Sequence, residues 1–210
     1  MITIAPAILA RDAGSFIQRI QSLREHVSIV QLDVINNTLV SGEAVADPAL
    51  IKSLKTALTF EVHLMVDVKS YDLTQWNHSW VQSIIVHCES EAYRDALATI
   101  RSWGKLAFLA INPSTQVEIL EGALDACDGV VFMTVQPGAM GNEFHHEVVE
   151  RIARFHEAHP SCVIEVDGGV NSANIKHLVN AGATRFAVGS FIDSAHVEDR
   201  LAQLTRALGQ

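Results

Sequence analysis

The stretch Val163-Ile164-Glu165-Val166-Asp167-Gly168-Gly169-Val170 decides how the chain is read. Its β-branched run predicts a buried strand that ends on an acid and breaks on two glycines. A helical pattern opens at Ser172. A strand that delivers a carboxylate to its C-terminal end, followed by backbone bare enough for N–H groups to approach an anion, describes a site. The same residues also describe a plain strand and turn, so the weight falls on their surroundings.

On both sides, short apolar runs alternate with helical patterns. Strands are expected at Ile2–Ile8, Ser28–Ile35, Phe60–Met65, Ser83–Cys88, Leu106–Ile111, Gly129–Val135, Val163–Asp167 and Thr184–Val188. Helices are expected over Ser15–Arg24, from the Asp47-Pro48 cap to Leu58, Ser70–Trp76, Glu91–Trp103, from a Thr115 cap to Leu124, Asn142–Ala158, Ser172–Ala181 and Ser194–Leu208. The strands are near-continuously apolar, as in a parallel sheet covered on both faces. Eight strand–helix pairs in 210 residues, with no linker or composition shift, predict a single (β/α)8 TIM barrel over residues 1–210. A doubly wound open sheet is the alternative. It usually has fewer strands, and the first turn here, Pro6-Ala7-Ile8-Leu9, carries no Gly-x-Gly-x-x-Gly.

Composition narrows the function classes. Hydrophobic residues make up 49% and charged residues 19% of the chain, enough for a large core and too apolar for disorder. The net charge of −9 argues against a nucleic-acid or anionic-membrane surface, yet a local nest of N–H groups can still bind phosphate. Cys88, Cys127 and Cys162 are odd in number and scattered, as reduced thiols in a cytoplasmic protein are. The N-terminus lacks the pattern of a signal peptide, and no apolar run is long enough to span a membrane.

A barrel builds its active site at the C-terminal ends of its strands. Those ends carry Ala7, Asp33, His63, His87, Asn112, Met133 with Gln136, Asp167, and Gly189-Ser190. Two Asp and one His at one mouth form a set that can bind a divalent metal or move protons. Gly168-Gly169 and Gly189-Ser190 precede the last two helices, where such barrels usually hold phosphate. Gln136-Pro137-Gly138-Ala139-Met140-Gly141-Asn142 has a composition that suits either a lid over the mouth or an ordinary surface loop.

Taken together, these pieces resemble the ribulose-phosphate 3-epimerase family over almost the whole chain. The matching segments are Ile4–Leu9, Leu32-Asp33-Val34, Glu61-Val62-His63-Leu64-Met65, Val86-His87, Asn112–Thr115, Pro137-Gly138 through Phe144, Glu165–Asn171 and Val188-Gly189-Ser190. The resemblance implies interconversion of D-ribulose 5-phosphate and D-xylulose 5-phosphate, or a related ketose phosphate, as in the pentose phosphate pathway. Asp33 and Asp167 match the two acids that move the C3 proton. Asp33, His63 and Asp167 match ligands of a divalent metal (Zn, or Fe, Mn or Co) that stabilises the enediolate. Gly138, Gly141, Gly168, Gly169, Gly189 and Ser190 are expected around the substrate and its phosphate, and Ala7, Met65 and Met133 along the pocket. A symmetric homo-oligomer is also expected, with Trp76, Trp80 and Trp103 serving either as an interface or as core.

The chain departs from the family pattern at four places. Gln31 stands where the family has a fourth metal ligand, a histidine. Ala7 replaces a serine, Ile35-Asn36-Asn37 replaces Met-Asp-Gly, and Met140 replaces a lid glycine. An amide oxygen is a poorer zinc ligand than imidazole. Two further functions therefore compete with epimerisation: a sugar-phosphate binder without turnover, and an aldolase or decarboxylase of the same barrel type. The latter usually needs a lysine at a strand end. Lys52, Lys55, Lys69, Lys105 and Lys176 all fall elsewhere.

Overall fold

A computed structural model describes residues 2–138 and 141–209. Among the described residues, nine strands form one sheet: β1 (Thr3–Ile8), β2 (Ile29–Asn36), β3 (Glu43–Ala44), β4 (Thr59–Met65), β5 (Val81–His87), β6 (Leu106–Ile111), β7 (Gly129–Met133), β8 (Ile164–Asp167) and β9 (Arg185–Val188). Their order is β1-β9-β8-β7-β6-β5-β4-β2, and pairing of β1 with β2 closes the ring into an eight-stranded parallel barrel. The short β3 was not expected. It pairs antiparallel on the outer end of β2, with Ile35 opposite Ala44.

Among the described residues, seven α-helices cover the barrel: α1 (Ala13–Leu23), α2 (Pro48–Ser53), α3 (Tyr93–Ser102), α4 (Glu118–Glu121), α5 (Glu147–Ala158), α6 (Ile175–Asn180) and α7 (Val197–Gly209). Apolar residues at helical spacing seat them, such as Phe16, Ile20 and Leu23 on α1. Asp47 caps α2 as expected, accepting from the N–H of Ala49 at 2.7 Å ahead of an N1 proline.

The expected helix over 115–124 is mostly absent. The Thr115 hydroxyl does not cap it but donates to Glu89 at 2.5 Å, and only Glu118–Glu121 is α-helical. Residues 70–76 yield a 3₁₀ turn at Leu73–Trp76, capped by Asp72. The helices expected from Asn142, Ser172 and Ser194 begin at Glu147, Ile175 and Val197. Before Ile175, the side chains of Asn171 and Asn174 both donate to the Gly169 carbonyl at 2.9 Å, so this segment serves the glycine turn instead. Trp76 is fully buried and donates to the Tyr71 hydroxyl, and the half-buried Trp80 packs edge-on against it, so Trp76 belongs to the core.

The strands carry buried polar residues among their apolar ones. Their outward residues join the main core with the helices, as Phe60, Val62 and Leu64 do on β4. Residues of opposite parity fill the barrel. Ile85, Phe108, Ala110, Val131 and Met133 form a separate apolar cluster there. The buried polar residues include Gln31, Asp33, Glu61, His63, Ser83, His87 and Glu165, all on strands. The barrel interior is thus half polar, and its hydrogen bonds decide what it can do.

Candidate active site

Strand pairing sets the heights of the candidate residues. Asp33 on β2 is level with His63 on β4, and Asp167 on β8 is level with Met133 on β7. β2 and β8 lie three steps apart around the ring, by way of β1 and β9. Asp33 and His63 sit inside their strands, two or three residues before the ends, which places them within the barrel mouth.

The four side chains meet. His63 Nδ1 lies 2.8 Å from Asp167 Oδ2 and 3.7 Å from Asp33 Oδ1. Gln31 Nε2 donates to Asp33 Oδ1 at 2.9 Å and to Asp167 Oδ2 at 2.8 Å, and stands 3.4 Å from His63 Nδ1. Both hydrogens of one amide thus bridge the two acids. Burial and the charge of Asp167 push the Asp33 carboxyl up to about 7, although His63 and Gln31 oppose this. Burial alone would lower the His63 pKa, but its hydrogen bond to Asp167 and the charges of both acids raise it.

Asp33, His63 and Asp167 each offer one ligand atom, all within 4.8 Å of one another, which suits one metal ion. The fourth position also fits, for a reason visible in the hydrogen bonds. Gln31 Oε1 is buried and has no partner among the described residues. Half a turn of the carboxamide would bring Oε1 to the two acids in place of Nε2. That orientation is repulsive unless a cation lies between them. Two carboxylates, one imidazole and one amide oxygen form a harder donor set than one with two imidazoles. Gln31→His should therefore raise zinc affinity on the order of tenfold by equilibrium competition with a chromogenic chelator. Unchanged affinity would mean that position 31 does not contribute to the metal site.

The pocket above this cluster is lined by Ala7, Asp33, Met65, Met133, Asp167 and the loop residues Gly138, Gly141, Gly168, Gly169, Gly189 and Ser190. Every residue expected to line the pocket or meet the phosphate thus reaches one mouth. Ala139 and Met140 of the expected lid lie outside the described residues. No lysine or arginine is among the residues lining the pocket. Gly168 adopts φ +112°, and a Cβ there would lie 2.5 Å from Val135, so this turn requires glycine.

Two further residues extend the cluster: His87, a strand-end residue to which the sequence assigns no role, and Glu89, which the sequence pattern does not single out. His63 Nε2 lies 2.8 Å from His87 Nε2, with the rings parallel to within 7°. His87 Nδ1 lies 3.3 Å from Glu89 Oε2. Burial lowers the His87 pKa. Burial would raise that of Glu89, but His87, the Thr115 hydroxyl and the Asn112 N–H hold it down to about 2. The His-x-Glu spacing just past an apolar strand is the only local signal for this pair.

Comparisons with known proteins identify the family. A family model described as the ribulose-phosphate 3-epimerase family matches residues 3–192. Ribulose-phosphate 3-epimerase of Aquifex aeolicus is 32% identical over 202 residues, covering 93% of this chain and 91% of the relative. The Chlamydia pneumoniae protein of that name is 31% identical, covering 97% and 94%. Among solved structures, 3-hexulose-6-phosphate synthase from Salmonella typhimurium superposes with a TM-score of 0.72 at 12% identity, covering 100% of this chain and 99% of that one. A mutant tryptophan synthase α-subunit from Pyrococcus furiosus gives 0.73 at 16% identity, covering 98% and 100%. At these identities the structural matches show the fold alone.

Proposed function

Because the chain belongs to the ribulose-phosphate 3-epimerase family, an isomerase family, we propose that it interconverts D-ribulose 5-phosphate and D-xylulose 5-phosphate, or a closely related ketose phosphate, by proton transfer at C3. The observation that carries this reading is the pair of acids from distant strands, held by one amide at the floor of one pocket. Gln31 engages one oxygen of each acid. Asp33 Oδ2 and Asp167 Oδ1 have no hydrogen-bond partner among the described residues and are free to meet a substrate. One acid removes the C3 proton and the other returns a proton to the opposite face. The raised Asp33 pKa favours a division of labour in which one carboxyl carries a proton while its partner accepts one.

Asp33, His63 and Asp167, with Gln31 through Oε1, would hold a divalent cation, which supplies electrostatic stabilisation to the enediolate when bound. The phosphate end is assigned to the glycine turns. The Gly168 carbonyl is drawn to the Thr134 hydroxyl, and the Gly189 carbonyl to the Ile192 N–H. In a trans peptide the following N–H points the opposite way, so Gly169 and Ser190 turn theirs from these partners. With no cation lining the pocket, main-chain donors hold the phosphate. The absence of a lining lysine leaves a Schiff-base aldolase without its nucleophile there.

The test is an epimerase assay on ribulose 5-phosphate with added Mn²⁺, Fe²⁺, Co²⁺ or Zn²⁺, run in D₂O. Deuterium incorporation at C3 with formation of xylulose 5-phosphate is the expected result. Tight binding of the sugar phosphate with no exchange under any metal would replace the enzyme by a binding protein.

A further inference from the structure

We infer that Glu89, acting through His87, is a positioning residue that places the ring proton of His63 on Nε2 and so keeps the Nδ1 lone pair facing Asp33 and Asp167. The inference rests on the reading of His63 as a metal ligand and adds to it how the correct tautomer is selected.

The argument follows the hydrogen bonds inward from the far end. Glu89 Oε1 accepts from the Asn112 N–H at 2.8 Å and from the Thr115 hydroxyl at 2.5 Å. These two donors pin the carboxylate, so Oε2 is the oxygen left for His87, 3.3 Å from Nδ1. A carboxylate only accepts, so His87 Nδ1 must carry a hydrogen. With its one hydrogen on Nδ1, the neutral ring leaves His87 Nε2 as an acceptor. Its partner at 2.8 Å is His63 Nε2, which must donate. One proton position is thereby dictated across three side chains. His63 Nδ1 is left as a lone pair available to a cation, or as a second N–H to Asp167 when the ring is charged. In both forms the shared proton sits on His63 Nε2. The chain lies wholly on one side of the barrel, on β4, β5 and the turn after β5, and touches neither acid directly except through His63.

The same geometry provides a test in which an isosteric change reverses the polarity. In Glu89→Gln the Asn112 and Thr115 donors still require an oxygen. The amide oxygen therefore takes the Oε1 place and its NH₂ faces His87. His87 Nδ1 becomes an acceptor, the shared proton moves to His87 Nε2, and His63 is driven to carry its hydrogen on Nδ1, against the metal site. Nitrogen-15 spectra of ring-labelled histidines locate these protons without substrate or metal. The wild-type protein should show hydrogen on His63 Nε2 and His87 Nδ1, and Glu89→Gln should show it on His87 Nε2. Titration with Co²⁺ alone should find affinity reduced by about 10–100-fold in the variant. A wild-type His87 bearing its hydrogen on Nε2 overturns the inference with no variant needed. So does an unmoved shared proton, or unchanged Co²⁺ affinity, in Glu89→Gln. A wild-type protein that binds no Co²⁺ counts against the metal-holding reading of His63, and the nitrogen spectra still decide the proton assignment.

Discussion

Asp33→Asn should abolish turnover and, in protein kept free of metal at pH 8, make the fold more stable. The two effects have one origin. Asp33 is buried beside Asp167, and burial together with that neighbouring charge raises its carboxyl from 3.8 to about 7. Between those values the folded chain holds a proton that the unfolded chain has released. This acid's contribution to wild-type stability therefore falls as pH rises through that window. The interval corresponds to about 4 kcal/mol at most. Asparagine keeps an oxygen for the Gln31 amide at 2.9 Å and removes the charge. The variant's advantage should thus be small at pH 4, grow to pH 7 and be complete at pH 8 in chemical denaturation with EDTA present. Its kcat should fall by about 10²–10⁴ from the lost proton transfer alone. Asp167→Asn should lose turnover similarly. An active single variant contradicts the two-acid scheme, and a less stable Asp33→Asn at pH 8 contradicts the raised carboxyl.

Arg185→Met should destabilise the fold strongly, by about 3–5 kcal/mol. At the opposite end of the barrel interior, Glu61 and Glu165 are fully buried and share this one guanidinium. Arg185 Nη2 donates to Glu61 Oε2 at 2.5 Å and Nε donates to Glu165 Oε2 at 2.7 Å. The Ser83 hydroxyl donates to Glu61 at 2.6 Å, and the Phe108 ring lies beneath the guanidinium, 5.0 Å from centroid to Cζ. Burial and the charge of Glu61 raise the Glu165 pKa, and Arg185 restrains the rise. Removing the cation leaves two buried carboxyls without it. The loss should be read as a lowered midpoint in urea, smaller at pH 5 than at pH 8 because protonation of Glu165 relieves the repulsion. Adding Glu165→Gln should recover part of the stability. A change below 1 kcal/mol would show that the carboxylates do not depend on this cation.

Much of the architecture was legible in the chain. Eight apolar strands alternating with helical patterns lead to a closed barrel, because each strand can bury its outer face only beneath a helix. Asp167-Gly168-Gly169 reads as a strand-end acid followed by a glycine turn, and both lie at the mouth. Helix ends are less legible wherever a polar side chain finds a distant partner. Thr115 has the residue type of a cap, but Glu89, 26 positions earlier, takes its hydroxyl. Asn171 and Asn174 sit where a helix could begin, yet they hold the Gly169 carbonyl.

The sequence by itself determined the repeat, the residues at the strand ends and the family they match, because strand period, turn chemistry and capping are local. Only the tertiary structure decided which polar groups meet. Gln31 reaches Asp167 across 136 positions, Arg185 reaches Glu61 across 124, and His63 reaches His87 across 24. Such pairs are set by strand register and by closure of the ring, which place residues of matching parity at the same height. A glutamine in place of a histidine reads in the sequence as a lost ligand. In the folded barrel the same glutamine is the group that holds the two acids together, since its amide can donate one hydrogen to each.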